Sequence, residues 1–152
     1  MIEGARYVHT NLIAKDWRAL AHFYEEVFGC ELVPPIREFP AATVEAGTGV
    51  PGASFSGVHL RLPGYSANGP TLEIFTYSDQ LAAATSAANR PGFGHIAFTV
   101  PDVGAARAEV IEAGGKAVGE VVTVTTTAGT HITWCYVTDP EGNIIELQAC
   151  GS

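Results

Sequence analysis

The sequence predicts an α+β fold made of two pseudo-symmetric strand-helix-strand-strand-strand (βαβββ) modules, and three observations carry that expectation. First, His9-Thr10-Asn11-Leu12-Ile13-Ala14-Lys15-Asp16 and His95-Ile96-Ala97-Phe98-Thr99-Val100-Pro101-Asp102 begin 86 residues apart and share one plan. In each, an Asp follows the His by seven residues and a Gly follows the Asp by thirteen (Gly29 and Gly115). Second, each stretch changes from a two-residue to a helical apolar period after its Asp. Third, each half ends in an apolar strand carrying one Glu, Thr71-Leu72-Glu73-Ile74-Phe75 and Ile144-Ile145-Glu146-Leu147-Gln148. A repeat of this kind means two copies of a supersecondary unit that cannot bury its apolar face alone.

The elements follow in order. From about Arg6 to Ala14, Val8, Thr10 and Leu12 alternate against Tyr7, His9 and Asn11, which predicts a half-buried strand. Asp16 is placed to cap a helix whose apolar face is Leu20, Phe23, Tyr24, Val27 and Phe28. Gly29 ends that helix in the left-handed position, and Cys30 to Val33 opens a strand. Pro34 to Ala53, rich in Pro, Gly, Ala and Thr, is expected to be a long irregular loop, either a lid or a passive excursion. Strands are expected at about Phe55 to Leu62 and Thr71 to Thr76, then a linker from about Ser78 to Gly92.

The second copy repeats the order. A strand covers Gly94 to Val100, Asp102 caps a helix with Val103, Ala106, Val110 and Ile111 on one face, and Ala113-Gly114-Gly115 closes it. Strands at His131 to Thr138 and Asn143 to Ala149 are joined by the turn Asp139-Pro140-Glu141-Gly142. The modules therefore span about 6–77 and 93–150 of a single domain. Glu73 follows His9 by 64 residues and Glu146 follows His95 by 51, the surplus lying in 34–53.

Bulk properties exclude several classes. With 47% apolar residues the chain is globular, not disordered. Sixteen acidic against eight basic residues leave a formal charge of −8, so no basic stripe exists to engage nucleic acid. The first residues carry no charged and apolar leader, and no apolar run approaches a bilayer span, so a cytoplasmic protein without membrane contact is expected. Cys30, Cys135 and Cys150 are odd in number and lack a CxxC pair, which predicts reduced thiols without a catalytic role.

Strand alternation then says what the repeated residues face. Leu72 and Ile74 point opposite to Glu73, as Ile145 and Leu147 do to Glu146; Val8 and Leu12 oppose His9, and Ile96 and Phe98 oppose His95. His9, Glu73, His95 and Glu146 therefore all lie on the face away from the helices. Carboxylates on a half-buried inward face repel unless a cation sits between them. Two imidazoles and two carboxylates suit Ni, Co, Zn, Mn or Fe(II) and disfavour Ca and Mg, which prefer oxygen alone. Such a set leaves coordination positions open to a substrate. His59 and Arg61 alternate onto the same inward face of their strand, where they are candidates for substrate binding, Arg61 for an anionic group. Trp134 and Tyr136 alternate along an inner strand, where they are placed to line an apolar pocket or, as expected here, to serve core packing.

At these residues the chain resembles the vicinal oxygen chelate superfamily, which includes glyoxalase I, methylmalonyl-CoA epimerase, extradiol dioxygenases and the fosfomycin and bleomycin resistance proteins. The similar motifs are His9 with Phe23-Tyr24-Glu25-Glu26-Val27-Phe28-Gly29, Gly94-His95-Ile96-Ala97, and Asp139-Pro140-Glu141-Gly142-Asn143-Ile144-Ile145-Glu146-Leu147. The resemblance implies paired βαβββ modules whose mixed sheets curl into a metal-binding cup with helices outside, in a homodimer. Single-domain bacterial glyoxalase I is the most similar branch. It implies His9, Glu73, His95 and Glu146 as ligands of one divalent transition metal, with Glu146 first and Glu73 second as the catalytic base. The implied chemistry is lactoylglutathione lyase-like: proton transfer beside a carbonyl through a metal-stabilised enediolate, on a small-molecule thiol adduct or acyl thioester.

The chain departs from that branch where glutathione would be held. An Arg four residues after the first His and another shortly before the second are common there, and this chain has Ile13 and Pro91, with Arg90 nearby. A bidentate guanidinium recognises carboxylates far better than a point charge does. Three alternatives accompany the resemblance: an acyl-CoA epimerase like methylmalonyl-CoA epimerase, an Fe(II) extradiol dioxygenase using His9, His95 and Glu146, and a metal-free drug-binding resistance protein.

Overall fold

The computed structural model describes residues 1–151. Two compact units divide it, Met1–Ala82 and the residues from Ala83 onward.

The first unit opens with strand β1 (His9–Ile13) and helix α1 (Trp17–Phe28). Asp16 caps α1 by accepting from the Arg18 and Ala19 amides, satisfying donors that have no partner inside the helix. Gly29 ends it at φ 66°, donating its N–H to the Glu25 carbonyl, while Cys30 donates to that of Tyr24. A residue with a Cβ is strained at that φ, which is why the helix stops where the sequence places its glycine.

Strands β2 (Glu31–Glu38), β3 (Phe55–Arg61) and β4 (Thr71–Tyr77) complete a mixed sheet of order β1-β4-β3-β2. Here β1 runs parallel to β4 and the other pairs are antiparallel. Leu20, Phe23 and Tyr24 of α1 are buried, as are Val58, Leu60, Leu72 and Ile74 on one face of the sheet. Each such side chain removed from water contributes roughly 1.5–3 kcal/mol before entropy is charged against it. Trp17 locks the helix start to the sheet, its indole donating to Ser56 Oγ at 3.0 Å and its amide to Thr76 Oγ1 at 2.8 Å.

The segment expected to be one irregular loop is ordered in two pieces. Strand β2 continues to Glu38, with a register shift between Val33 and Arg37 that spans a cis Pro34-Pro35 bond. Helix α2 (Ala41–Thr48) follows, starting after Pro40, ending at Gly49 and burying Val44. Pro before and Gly after a short segment containing Ala41, Ala42, Glu45 and Ala46 act as a start and a stop, so these residues bound a helix rather than preclude one. The Glu45 carboxylate accepts from the Gly52 amide at 2.9 Å and ties the exit of α2 back onto it.

The second unit carries β5 (Ile96–Thr99), α3 (Val103–Glu112), β6 (Lys116–Ala117), β7 (Val122–Thr125), β8 (His131–Thr138) and β9 (Ile144–Gly151). The sheet order is β5-β9-β8-β6, with β7 also on β8. The second strand of the repeat is thus split into β6 and β7, both antiparallel to β8. As in the first unit, the opening strand lies parallel to the closing one. Asp102 caps α3 through the Ala105 amide.

Val103 and Val110 are buried and Ala106 is half-buried, but Ile111, expected on the same face, is exposed. Val103, Ala106 and Val110 repeat at three and four residues, and Ile111 falls one step past that seam. The turn between β8 and β9 is held by buried Asp139. Its Oδ1 accepts from the Glu141 and Asn143 amides at 3.0 and 2.9 Å and its Oδ2 from Asn143 Nδ2 at 2.8 Å. Among the described residues no helix is long and apolar enough to cross a membrane.

Candidate metal-binding site

In the first unit the sheet register gathers three polar side chains around Glu73. Asn11 pairs with Glu73 across the parallel β1–β4 ladder, and His59 pairs with it across the antiparallel β3–β4 ladder. Directly paired residues point to one face, and His9, two residues before Asn11, points there too. Leu72 and Ile74 are buried on the opposite face. His59 Nε2 lies 2.8 Å from Glu73 Oε1, Asn11 Nδ2 donates to Oε2 at 2.8 Å, and His9 Nε2 stands 3.5 Å from Oε2. The His9 and His59 rings meet edge-on at 5.4 Å. One donor atom each from His9, His59 and Glu73 all lie within 4.8 Å of one another.

His59 is constrained at both nitrogens, since its Nδ1 lies 2.8 Å from Thr71 Oγ1. Either Thr71 donates and Nε2–H bonds Glu73, or Nδ1–H bonds Thr71 and a bare Nε2 lone pair faces a carboxylate. The second arrangement is stable only with a cation between the two atoms. Burial holds His59 below the ordinary imidazole range. Glu73 pulls the other way, and the positive charges of Arg37 and His9 add to the fall. A neutral ring with a lone pair to give is what a transition metal needs.

The second unit reproduces the register and changes the residues. Ala97 pairs with Glu146 across β5–β9, Tyr136 pairs with it across β8–β9, and His95 lies two residues before Ala97. His95 Nε2 stands 2.8 Å from Glu146 Oε2. Tyr136 packs its ring against His95 at 5.0 Å and against Trp134 at 5.0 Å. So Ala97 takes the place of Asn11, and Tyr136 that of His59. Glu73 has both oxygens engaged, whereas the contacts of Glu146 within its unit, among the described residues, run through Oε2.

Of the residues singled out from the sequence, the structure brings His9, His59 and Glu73 together in one unit and His95 and Glu146 in the other. Arg61 shares the face of His59 but is paired with Glu31, its cross-strand partner at the β2–β3 edge, so its charge is already met. Asn11 and Thr71 were not expected at a site. Tyr136 is half-buried against His95, where core packing was expected. Asn11 repeats the phase of His9, and Tyr136 that of Trp134, but only the pairing register places them beside a Glu.

The donor set fits a transition ion: imidazole and carboxylate atoms at hydrogen-bond spacing, on half-buried faces, with further polar groups holding them. Residues 6–147 match the glyoxalase/bleomycin resistance protein/dioxygenase superfamily. The chain belongs to that superfamily.

Solved structures agree with the assignment of fold. The glyoxalase family protein from Bacillus cereus is 19% identical, with a TM-score of 0.81 over 100% of this chain and 99% of that one. The glyoxalase family protein from Enterococcus faecalis is 25% identical, with a TM-score of 0.59 over 96% and 97% of the two chains. The trypanothione-dependent glyoxalase I of Leishmania major is 24% identical, with a TM-score of 0.59 over 96% and 87%. No curated protein matches the chain at a significant level. The glyoxalase-superfamily α+β fold, with its two mixed sheets, is therefore the one expected from the repeat.

Proposed function

We propose that this glyoxalase-superfamily chain is a divalent-metal-dependent lyase or isomerase of the glyoxalase I type, moving a proton between two carbons beside a carbonyl. One observation carries the reading: each unit builds a His–Glu pair from the same register, His9 two residues before the partner of Glu73 and His95 two before the partner of Glu146. In this reading the His–Glu pair of each unit, His9 with Glu73 and His95 with Glu146, supplies ligands to a divalent transition ion. When bound, the ion acts as a Lewis acid on the substrate oxygens.

Proton movement belongs to the chain's own carboxylates. Glu146 is the base: His95 holds its Oε2 at 2.8 Å, which leaves Oε1 to meet a carbon-bound proton. Glu73 is a poorer base, because Asn11 and His59 each occupy one of its oxygens. On a hemithioacetal, Glu146 removes the proton from the carbon bearing the hydroxyl and delivers it to the neighbouring carbonyl carbon. The hydroxyl proton passes to the other oxygen. Reactant and product are isomers, so no external oxidant or reductant enters.

A second reading shares this site. Ile13 and Pro91 stand where guanidinium groups would hold glutathione carboxylates, which favours an acyl thioester over a glutathione adduct. Glu146 would then remove the proton from the α-carbon, and return of a proton from solvent on the opposite face would epimerise it.

Deuterium exchange tests both readings. Protein supplied with Ni, Co, Zn or Mn in D2O should wash deuterium into the product of a methylglyoxal–thiol adduct or into the α-carbon of a 2-substituted acyl thioester. Glu146→Gln should lose about 10²–10⁴-fold of the rate. Absence of both turnover and exchange, with every one of these metals and on both substrate classes, would overturn the proposal.

A further inference from the structure

We infer that the first unit alone is a complete three-donor metal site, His9–His59–Glu73, in which His59 is a ligand and not a substrate contact. The inference deepens the metal-dependent reading above and rests on it for the identity of the ion class. It assigns affinity for the ion to one unit, where that reading distributed it over both.

The geometry supports this in three ways. Around an ion with bonds of about 2.0–2.1 Å, neighbouring donor atoms lie roughly 2.8–3.4 Å apart in octahedral or tetrahedral arrangements. His59 Nε2 is 2.8 Å from Glu73 Oε1 and His9 Nε2 is 3.5 Å from Glu73 Oε2, so the two imidazoles approach different oxygens of one carboxylate. One donor atom from each of the three residues lies within 4.8 Å of the others, so small side-chain movements would bring them to those spacings. His9 opens β1 and is exposed, so its ring is free to close the third edge.

The supporting contacts point the same way. Metal-binding imidazoles use their second nitrogen for an oxygen acceptor, and ligating carboxylates accept a further hydrogen bond. Thr71 Oγ1 stands 2.8 Å from His59 Nδ1, and Asn11 Nδ2 donates to Glu73 at 2.8 Å. These contacts fix the ring orientation and leave Nε2 directed at the carboxylate.

The second unit is the internal control. It has the same strands and the same register, but Tyr136 replaces His59 and Ala97 replaces Asn11. A phenol is a poor ligand near neutral pH, since it must lose a proton near pH 10. Two donors without the Asn support make a weaker grip. This asymmetry also leaves Glu146 the less tied carboxylate, which suits a residue that must accept and release a proton.

Cobalt(II) titration of the full-length protein, followed by its visible absorption and by elemental analysis after dialysis, separates the possibilities. The double variant His95→Gln/Glu146→Gln should keep about one cobalt per chain. His59→Gln and His59→Tyr should each weaken cobalt at least tenfold, the scale by which even outer-shell partners act. Pulsed electron paramagnetic resonance of a copper(II)-loaded sample of the double variant should count two imidazoles, and of His59→Gln in the same background one. A mere folding role for His59 would not change that count, and far-UV circular dichroism checks each variant's fold. Loss of cobalt from the double variant, with parent-like affinity in both His59 variants, would overturn the inference and leave the four-ligand reading intact. Retained cobalt in the double variant, with no proton exchange by the parent, would sustain the inference and overturn the proposed activity.

Discussion

His59 lies directly across the β3–β4 ladder from Glu73, and Tyr136 holds the corresponding place beside Glu146. One substitution within a shared register thus turns a carboxylate held at both oxygens into one held at Oε2. The two halves of the repeat carry unequal chemistry on equal frames.

Asn11 has no counterpart in the second unit, where Ala97 occupies its place. Asn11→Ala frees Glu73 Oε2 without removing a ligand. Metal affinity should fall by about 10–100-fold while the melting temperature of the metal-free protein changes little. Isothermal titration with zinc or cobalt checks the first, and differential scanning calorimetry the second.

Buried Asp139 sets the turn that aligns Tyr136 with Glu146, accepting three hydrogen bonds. Asp139→Ala leaves the Glu141 and Asn143 donors without that partner. It should cost about 2–4 kcal/mol in urea unfolding, because charge-assisted bonds and stranded donors are both involved.

Gly57 sits two residues before His59 on the same strand face. A Cβ there would meet the Ile74 carbonyl oxygen at 2.0 Å and Phe75 Cδ1 at 2.3 Å. Phe75 stacks on Phe55 at 4.3 Å, so neither strand can yield without breaking that packing. Gly57→Ala should destabilise by about 1–3 kcal/mol and displace His59 from Glu73. Urea unfolding together with cobalt affinity would register both effects.

The three cysteines should differ sharply in reactivity. Burial, reinforced by the Glu25 charge, pushes the Cys30 thiol up to about 12, and burial also raises Cys135, partly offset by Arg107. Cys150 is exposed. Native protein at pH 8 should therefore show about one fast-reacting thiol with an aromatic disulfide reagent, and all three once unfolded. The sign of the linkage follows. The unfolded Cys30 thiol ionises near its ordinary 9.0 while the folded one stays protonated, so stability falls as pH rises from about 9 towards 12. A shallower decline across that window in a Cys30→Ala variant than in the parent would identify the thiol as a source.

What was legible in the sequence was local. Asp16 and Gly29 mark the ends of α1 because capping and the left-handed conformation are properties of a few neighbouring residues. Alternation places Glu73 opposite Leu72 and Ile74, so the inward face was readable as well. Pairing register is non-local, and the contacts it makes are not written in the chain. The sequence puts His59 on the inward face but does not place it across from Glu73, and it gives no sign that Asn11 and Tyr136 lie across from Glu73 and Glu146. Helix α2 was hidden by its boundaries, Pro40 and Gly49, which also punctuate loops. Ile111 was misplaced because a short helix rich in Ala and Gly leaves its rotation to be decided by the sheet beneath it.

The most direct test of the central claim is the metal content of protein purified without a metal-affinity column. A metal-dependent site of His and Glu donors predicts about one transition-metal ion per chain, or a rise in melting temperature when Ni, Co, Zn or Mn is added to stripped protein. Protein that carries no such ion, and whose melting temperature none of the four metals raises, would contradict the account.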